Sequence, residues 1–158
     1  MIENWIREPG FPVVRARRDG SRLLLKQERF TWLENASEQL WHIPVSVQLF
    51  DASGERGTVS VMLKEAHGTI EMPEGTTAYK VNAGQTGVYH TAYDKENLRR
   101  LSELIAGGSL SPADRFGLAL EASGLLMRGD LTAGEYLRFL QHFEGETEYL
   151  PLTYIAQV

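Results

Sequence analysis

Four histidines, His42, His67, His90 and His142, are the first side chains to test for chemistry, since imidazole is the commonest protein ligand for a metal. Zinc hydrolysis staged on a helix needs two histidines one turn apart, with a glutamate to activate water, the H-E-x-x-H pattern. No two of the four share a helical turn. Glu65-Ala66-His67 sets one carboxylate beside one imidazole, which falls short of the three protein ligands a catalytic zinc requires. A solvated loop is the expectation there, and His90, alone on a strand, reads as structural or exposed. Ser60, Ser102, Ser111 and Ser123 lack a G-x-S-x-G elbow, and Ser111 is accounted for as a helix cap. The glycine-containing segment from Asn82 to Gly87 matches neither a phosphate loop nor a dinucleotide fingerprint, so it reads as a hairpin turn. Cysteine is absent, which excludes disulfides and thiolate chemistry. No catalytic residue, no metal ligand and no cofactor-binding residue is assigned in this chain.

Charge clusters are the next candidates. Arg15, Arg17, Arg18, Arg22, Lys26 and Arg29 surround the first pair of strands, with Arg15 and Arg17 on one face and Arg22 and Lys26 on another. A nucleic-acid surface would interleave aromatic platforms with these cations, and the chain as a whole is acidic, at −5 from 21 acidic and 16 basic side chains. A solvated sheet face touching a neighbouring domain is the expected role, with no nucleic-acid partner. Glu144, Glu146 and Glu148 lack the aspartate-rich spacing of a calcium loop and read as a charged connection between helices. Trp5, Trp32 and Trp41 fall along strands and strand ends, where core packing is the default.

The elements that would carry these residues divide into two halves. From Phe11 to Tyr93 the chain reads as strands. Trp41, Ile43, Val45, Val47 and Leu49 alternate with mainly polar residues, the period of a half-buried strand. Pro44, on the opposite face, implies an edge or a bulge because it lacks an N–H. Val59, Val61 and Leu63 repeat the alternation. Further strands are expected at Phe11–Arg17, Ser21–Phe30, His67–Met72, Ala78–Val81 and Val88–Tyr93, with turns at Asp19-Gly20, Ser53-Gly54 and Gly84–Gly87. About seven short strands without intervening helices imply an antiparallel β-sandwich of the fibronectin or immunoglobulin kind.

After Tyr93 the period becomes helical. Leu98, Leu101, Leu104 and Ile105 form one stripe, ended by Gly107-Gly108. Ser111-Pro112-Ala113-Asp114 is a helix start, followed by Leu118, Ala122, Leu125 and Leu126 and closed by Gly129. A third helix is expected over Thr132–Phe143. A fourth, from about Glu148, would be cut by the chain end, leaving Phe139, Phe143, Leu152 and Ile155 incompletely covered. The expected organisation is a sandwich over 1–93 and the first helices of a helical array over 94–158. No apolar run approaches the ~20 residues that span a bilayer, and Met1 to Trp5 lacks the basic start and apolar core of a signal peptide. The redox compartment is open, with a cytoplasmic setting the expectation.

Five segments, in order, resemble aminopeptidases of the aminopeptidase N type. Trp5-Ile6-Arg7-Glu8-Pro9-Gly10-Phe11-Pro12-Val13-Val14 is similar to the start of that family's sandwich domain. Leu25-Lys26-Gln27-Glu28-Arg29-Phe30 and Trp41-His42-Ile43-Pro44-Val45 resemble its next and central strands. Lys80-Val81-Asn82-Ala83-Gly84-Gln85-Thr86-Gly87-Val88-Tyr89 resembles its last hairpin, where an arginine often stands at the position of His90. Leu110-Ser111-Pro112-Ala113-Asp114-Arg115-Phe116-Gly117-Leu118 resembles the first long helix of its C-terminal domain. The resemblance implies a non-catalytic, inter-domain piece of a zinc aminopeptidase. Zinc and the catalytic groups would then belong to a preceding thermolysin-like domain that this chain lacks. The implied partners are the catalytic and C-terminal helical domains of the same parent chain, with self-association through the cut helical end as a further expectation. The competing expectation is a free-standing fibronectin-like protein-binding module with a helical appendage.

Overall fold

The computed structural model describes residues 5, 10–31 and 39–157. Trp32, Val158 and residues 6–9 of the first resembling segment lie outside them. Among the described residues the chain forms β1 (Pro12–Asp19), β2 (Arg22–Arg29), β3 (Ile43–Asp51), β4 (Gly54–Leu63), β5 (His67–Glu71), β6 (Ala78–Val81) and β7 (His90–Tyr93). Four helices follow: α1 (Lys95–Ala106), α2 (Pro112–Arg128), α3 (Ala133–Leu140) and α4 (Tyr149–Ile155).

The strands make two sheets, one in the order β5-β2-β1-β7 and one in the order β4-β3-β6. Their facing residues close a core of Val14, Ala16, Leu23 and Leu25 from the first sheet against Ile43, Val45 and Val47 from the second. Trp41, fully buried, sits at its end beside Trp5, whose indole N–H donates to the carbonyl of His42 at 3.2 Å. The Gln27 side chain replaces a strand neighbour for Trp41, accepting from its N–H at 2.8 Å and donating to its carbonyl at 2.9 Å. Pro44 faces outward where β3 pairs only with β4, since β6 reaches no further than Val47. Its missing N–H therefore costs no ladder bond, and the bulge in β3 lies instead at Leu49/Phe50.

Two expectations change. The sandwich is not wholly antiparallel, because β7 runs parallel to β1, Val13 opposite His90 and Ala16 opposite Tyr93. The segment 82–89 is also no hairpin: β6 belongs to the three-stranded sheet and β7 to the four-stranded one, so it is a crossover between sheets. Because β6 and β7 lie in different sheets, no two-residue hairpin turn joins them, and the chain instead makes a 3-10 turn at Ala83–Gln85. Asn82 and Gln85 take left-handed backbone angles, φ 60° and 55°. The Asn82 side chain fixes the crossover by accepting from Gly87 N at 2.8 Å and donating to Gly87 O at 3.0 Å.

The crossover leaves β6 with a free edge, which side chains satisfy. Asn97 of α1 accepts from Tyr79 N at 3.0 Å and donates to Tyr79 O at 2.8 Å, while the Tyr93 hydroxyl serves Val81 N and O in the same manner. A covered edge cannot template another chain.

The helices start where expected. Asp94, Ser111 and Thr132 cap α1, α2 and α3 by accepting from the third residue on, and Thr132 and Glu135 complete a capping box. The segment expected as one helix to Phe143 is α-helical to Leu140 and tightens into a 3-10 turn over Gln141–Phe143. Phe139 and Phe143, expected to lack cover, are buried with Leu101, Ile105 and Tyr136 in a second core that also takes in Phe50 and Ala78 of the sandwich. α4 ends at Ile155, with Ala156 N bonded back to Leu152 O, and its exposed apolar side chains are Tyr149, Leu150 and Leu152.

Candidate functional site: a polar seam along α2

α2 was expected to bury a stripe of leucine and alanine. Leu118, Ala122 and Leu125 are indeed buried, Leu125 against Val13, Phe30 and Ala92 of the sandwich, but polar residues of the helix meet the sandwich as well. Asp114, Glu121 and Arg128 stand two turns apart on one face, with Gly117 and Gly124 between them. Three polar residues and two glycines occupy a seam where leucine is usual.

Each polar residue clamps a different part of the sandwich. Asp114 Oδ1 accepts from the crossover amide Gly84 N at 2.8 Å and lies 3.4 Å from Lys80 Nζ. Lys80, on β6, is fully buried, and its ammonium also donates to Val81 O at 2.7 Å and Asn82 O at 3.1 Å. Ser111, the cap of α2, donates to Asp114 Oδ2 at 2.6 Å. A buried ion pair adds little net stability, because desolvation offsets most of the attraction.

Glu121, 3% exposed, accepts from the Thr91 hydroxyl of β7. Burial pushes its carboxyl up to about 7, against the pull of Lys80, Thr91 and Gln85 and with the help of Asp114. Its other oxygen, Oε1, and the buried Gln85 amide nitrogen face each other without a short hydrogen bond, close enough for the amide to lower the carboxyl's pKa. At the far end Arg128 donates to Glu28 Oε1 at 2.6 Å, where Arg15 also donates at 2.8 Å. Arg15 reaches on to Asp130 at 3.0 Å. Burial alone would raise the Glu28 carboxyl, but the bonds from Arg128 and Arg15 overcome it and hold it below its ordinary value.

Gly117 permits this approach. A methyl built on Gly117 would overlap the Gln85 side chain, whereas one on Gly124 would only make ordinary contacts, 3.5 Å from His90 Nε2 and 3.6 Å from Phe30 Cζ. Glycine inside a helix costs about 1 kcal/mol relative to alanine, and the approach of Gln85 explains it at 117. His90 lies half-buried between Phe11 and Phe30, ring centroids 5.0 and 4.7 Å away, and burial lowers its pKa.

The basic cluster is thereby dispersed. Arg15 pairs with Glu28 and Asp130, Arg22 with Glu71 and Lys26 with Glu28, while Arg18 donates to Thr76 O and Gly20 O. Arg15 touches the helical half through Asp130. In the acidic loop Glu146 takes a two-pronged bond from Arg115, at 2.6 and 2.9 Å, and accepts from Thr147 N and Glu148 N, which makes it a brace between α2 and α4. Sequence reasoning missed the seam because it weighed apolar periodicity alone; the repeat of charge and glycine through Asp114, Gly117, Glu121, Gly124 and Arg128 was its available signal.

Among the described residues no three of His, Cys, Asp and Glu are grouped to hold a metal ion, and no helix is long and apolar enough to cross a membrane. The donor set present does not fit a zinc centre.

The model of the ERAP1-like C-terminal domain matches residues 78–158, from β6 onward. Curated relatives align across nearly the whole chain. Leucyl aminopeptidase of Saccharolobus solfataricus is 28% identical over 99% of it, endoplasmic reticulum aminopeptidase 2 of Bos taurus 30% over 98%, and probable M1 family aminopeptidase 1 of Encephalitozoon cuniculi 35% over 86%. The matched stretch is 19%, 18% and 16% of those proteins, so the chain spans less than a fifth of the relatives it matches. With a family model over more than half its length and relatives along all of it, the chain belongs to the ERAP1-like C-terminal domain family, within the M1 aminopeptidases of the aminopeptidase N type.

Proposed function

We propose that this chain is the non-catalytic joint of a zinc-dependent aminopeptidase, carrying the helical segment on the sandwich at a fixed angle. The parent would remove N-terminal residues from peptides, using a zinc and catalytic groups borne by a separate domain. The observation that carries the reading is the seam: three polar clamps on one face of α2 fix it to β6, the crossover and the β1–β2–β7 sheet. Polar clamps of this kind determine orientation more than they add stability, which is what a joint between domains requires. The joint would fall at Tyr93-Asp94, where Asp94 caps α1 while accepting from Arg18 N at 3.1 Å and from the Tyr79 hydroxyl at 2.6 Å. The partners are then the catalytic domain and the further helices of the same parent chain.

The test is metal analysis and an aminoacyl-amide assay on the purified 158-residue chain after chelation and dialysis against zinc. Neither bound metal nor turnover is expected. One tightly held zinc per chain together with hydrolysis would overturn the reading.

A further inference from the structure

A partly open cavity of about 60 Å³ lies between α2 and the sheet, with Thr91, Ala92, Leu118, Glu121, Ala122 and Leu125 among its walls. Arg15, Asp130 and Leu131 line it as well, so the Arg15–Asp130 ion pair stands at this cavity. Glu121 is the middle clamp of the seam; its Oε2 is held by Thr91, and its buried Oε1 is faced by the Gln85 amide without a short hydrogen bond between them. A neutral carboxyl tolerates that position. A carboxylate there is a buried charge with no ion pair among the described residues and only neutral donors, Thr91 and Gln85, in front of it, which is unfavourable unless water reaches it or the helix shifts.

We propose that Glu121 is a protonation-sensitive latch between α2 and the sandwich: neutral, it holds the helix closed on Thr91 and the crossover, and ionised, it loosens that contact. The latch acts at the joint described above and rests on that reading for its consequence in the parent, but its operation is a property of this chain alone. Failure of the zinc and turnover test would leave it standing, and failure of the test below would leave the joint.

The charged and titratable groups that face Glu121 come from every element around it. Lys80 on β6 favours the carboxylate, Asp114 on α2 disfavours it, and the Gln85 amide of the crossover leans towards it. The Tyr89 and Tyr93 phenols are pushed up by burial and, secondarily, by Glu121, so both stay protonated through the range of interest. Arg15 and Asp130 satisfy one another across the cavity.

Glu121 loses its proton near 4.5 in the unfolded chain and near 7 in the folded one. Between those values the folded state holds more protons, so folding weakens as pH rises and the loss is complete above about 7. From pH 5 to pH 8 the unfolding constant should rise about 70-fold from this group. His90 works in the opposite sense. Its pKa is lowered on folding, so the unfolded state binds the extra proton and stability rises with pH. The difference between wild type and E121Q removes that contribution.

The experiment is urea unfolding at pH 5, 6, 7 and 8 on the chain and on E121Q. Ellipticity follows the helices, and fluorescence follows the sandwich half, which holds all three tryptophans. Wild type is expected to lose tens-fold in folding constant relative to E121Q across this range, first in the helical signal. Equal pH profiles in the two proteins would overturn the latch. Should E121Q not fold, carbon-13 titration of the Glu121 carboxyl decides: a midpoint near neutrality supports the latch and an ordinary carboxylate midpoint sinks it.

Discussion

Replacing Gly117 with alanine should destabilise the chain, although alanine is the better helix former. In an ordinary helix the change would add about 1 kcal/mol. Here the new methyl falls on Cγ, Cδ and Nε2 of Gln85, which occupies the space a side chain would fill. Gln85 cannot retreat freely. Its backbone is held at φ 55° by the crossover, and its Oε1 accepts from Asn82 Nδ2 at 3.0 Å. Pushing it out removes that bond, about 1 kcal/mol, and overpacks the seam, typically 1–3 kcal/mol. Set against the propensity gain, the net loss should be about 1–3 kcal/mol, read as a fall in the urea midpoint at unchanged slope. The decisive measurement repeats G117A in a Q85G background. There the obstruction is gone and glycine suits the left-handed backbone, so G117A should become stabilising by about 0.5–1 kcal/mol. A loss of the same size in both backgrounds would show that Gln85 is not what requires glycine at 117, and the account of the seam would fail with it.

Two further perturbations separate the halves of the molecule. Trp41→Ala should cost about 3–5 kcal/mol, since the ring is fully buried at the end of the sandwich core, whereas His42→Ala, on the exposed face, should cost far less; equal losses by chemical denaturation would mean the strand is misregistered. In hydrogen exchange, α4 should be the least protected helix and β3 among the slowest segments, because Tyr149 is 80% exposed and Leu150 and Leu152 are also uncovered; an α4 as slow as Val45 would contradict this.

Much of the architecture was legible in the sequence because it depends on local rules. Alternation placed β3 with Trp41, Ile43, Val45, Val47 and Leu49 inward, and all five are buried. Cap chemistry placed the start of α2 at Ser111 and its end at Gly129, which takes the left-handed φ of 86° that closes a helix. The resemblance to aminopeptidases of the aminopeptidase N type, carried by ordered segments, agrees with the family model and the relatives.

Only the tertiary structure decided how the halves meet. Nothing local separates a hairpin at Asn82–Gly87 from a crossover, since both use glycine and left-handed residues; the difference is which strand β7 pairs with, and that partner, β1, is some seventy residues earlier. Phe139 and Phe143 looked uncovered because they are buried in a core shared with α1 and α2, which no nearby sequence reveals. The seam was hidden for the same reason. Asp114 reads only as part of a helix start, and Glu121 and Arg128 carry no assignment, until Lys80, Thr91 and Glu28 are brought opposite them; a charge's role depends on whether water or a partner lies in front of it.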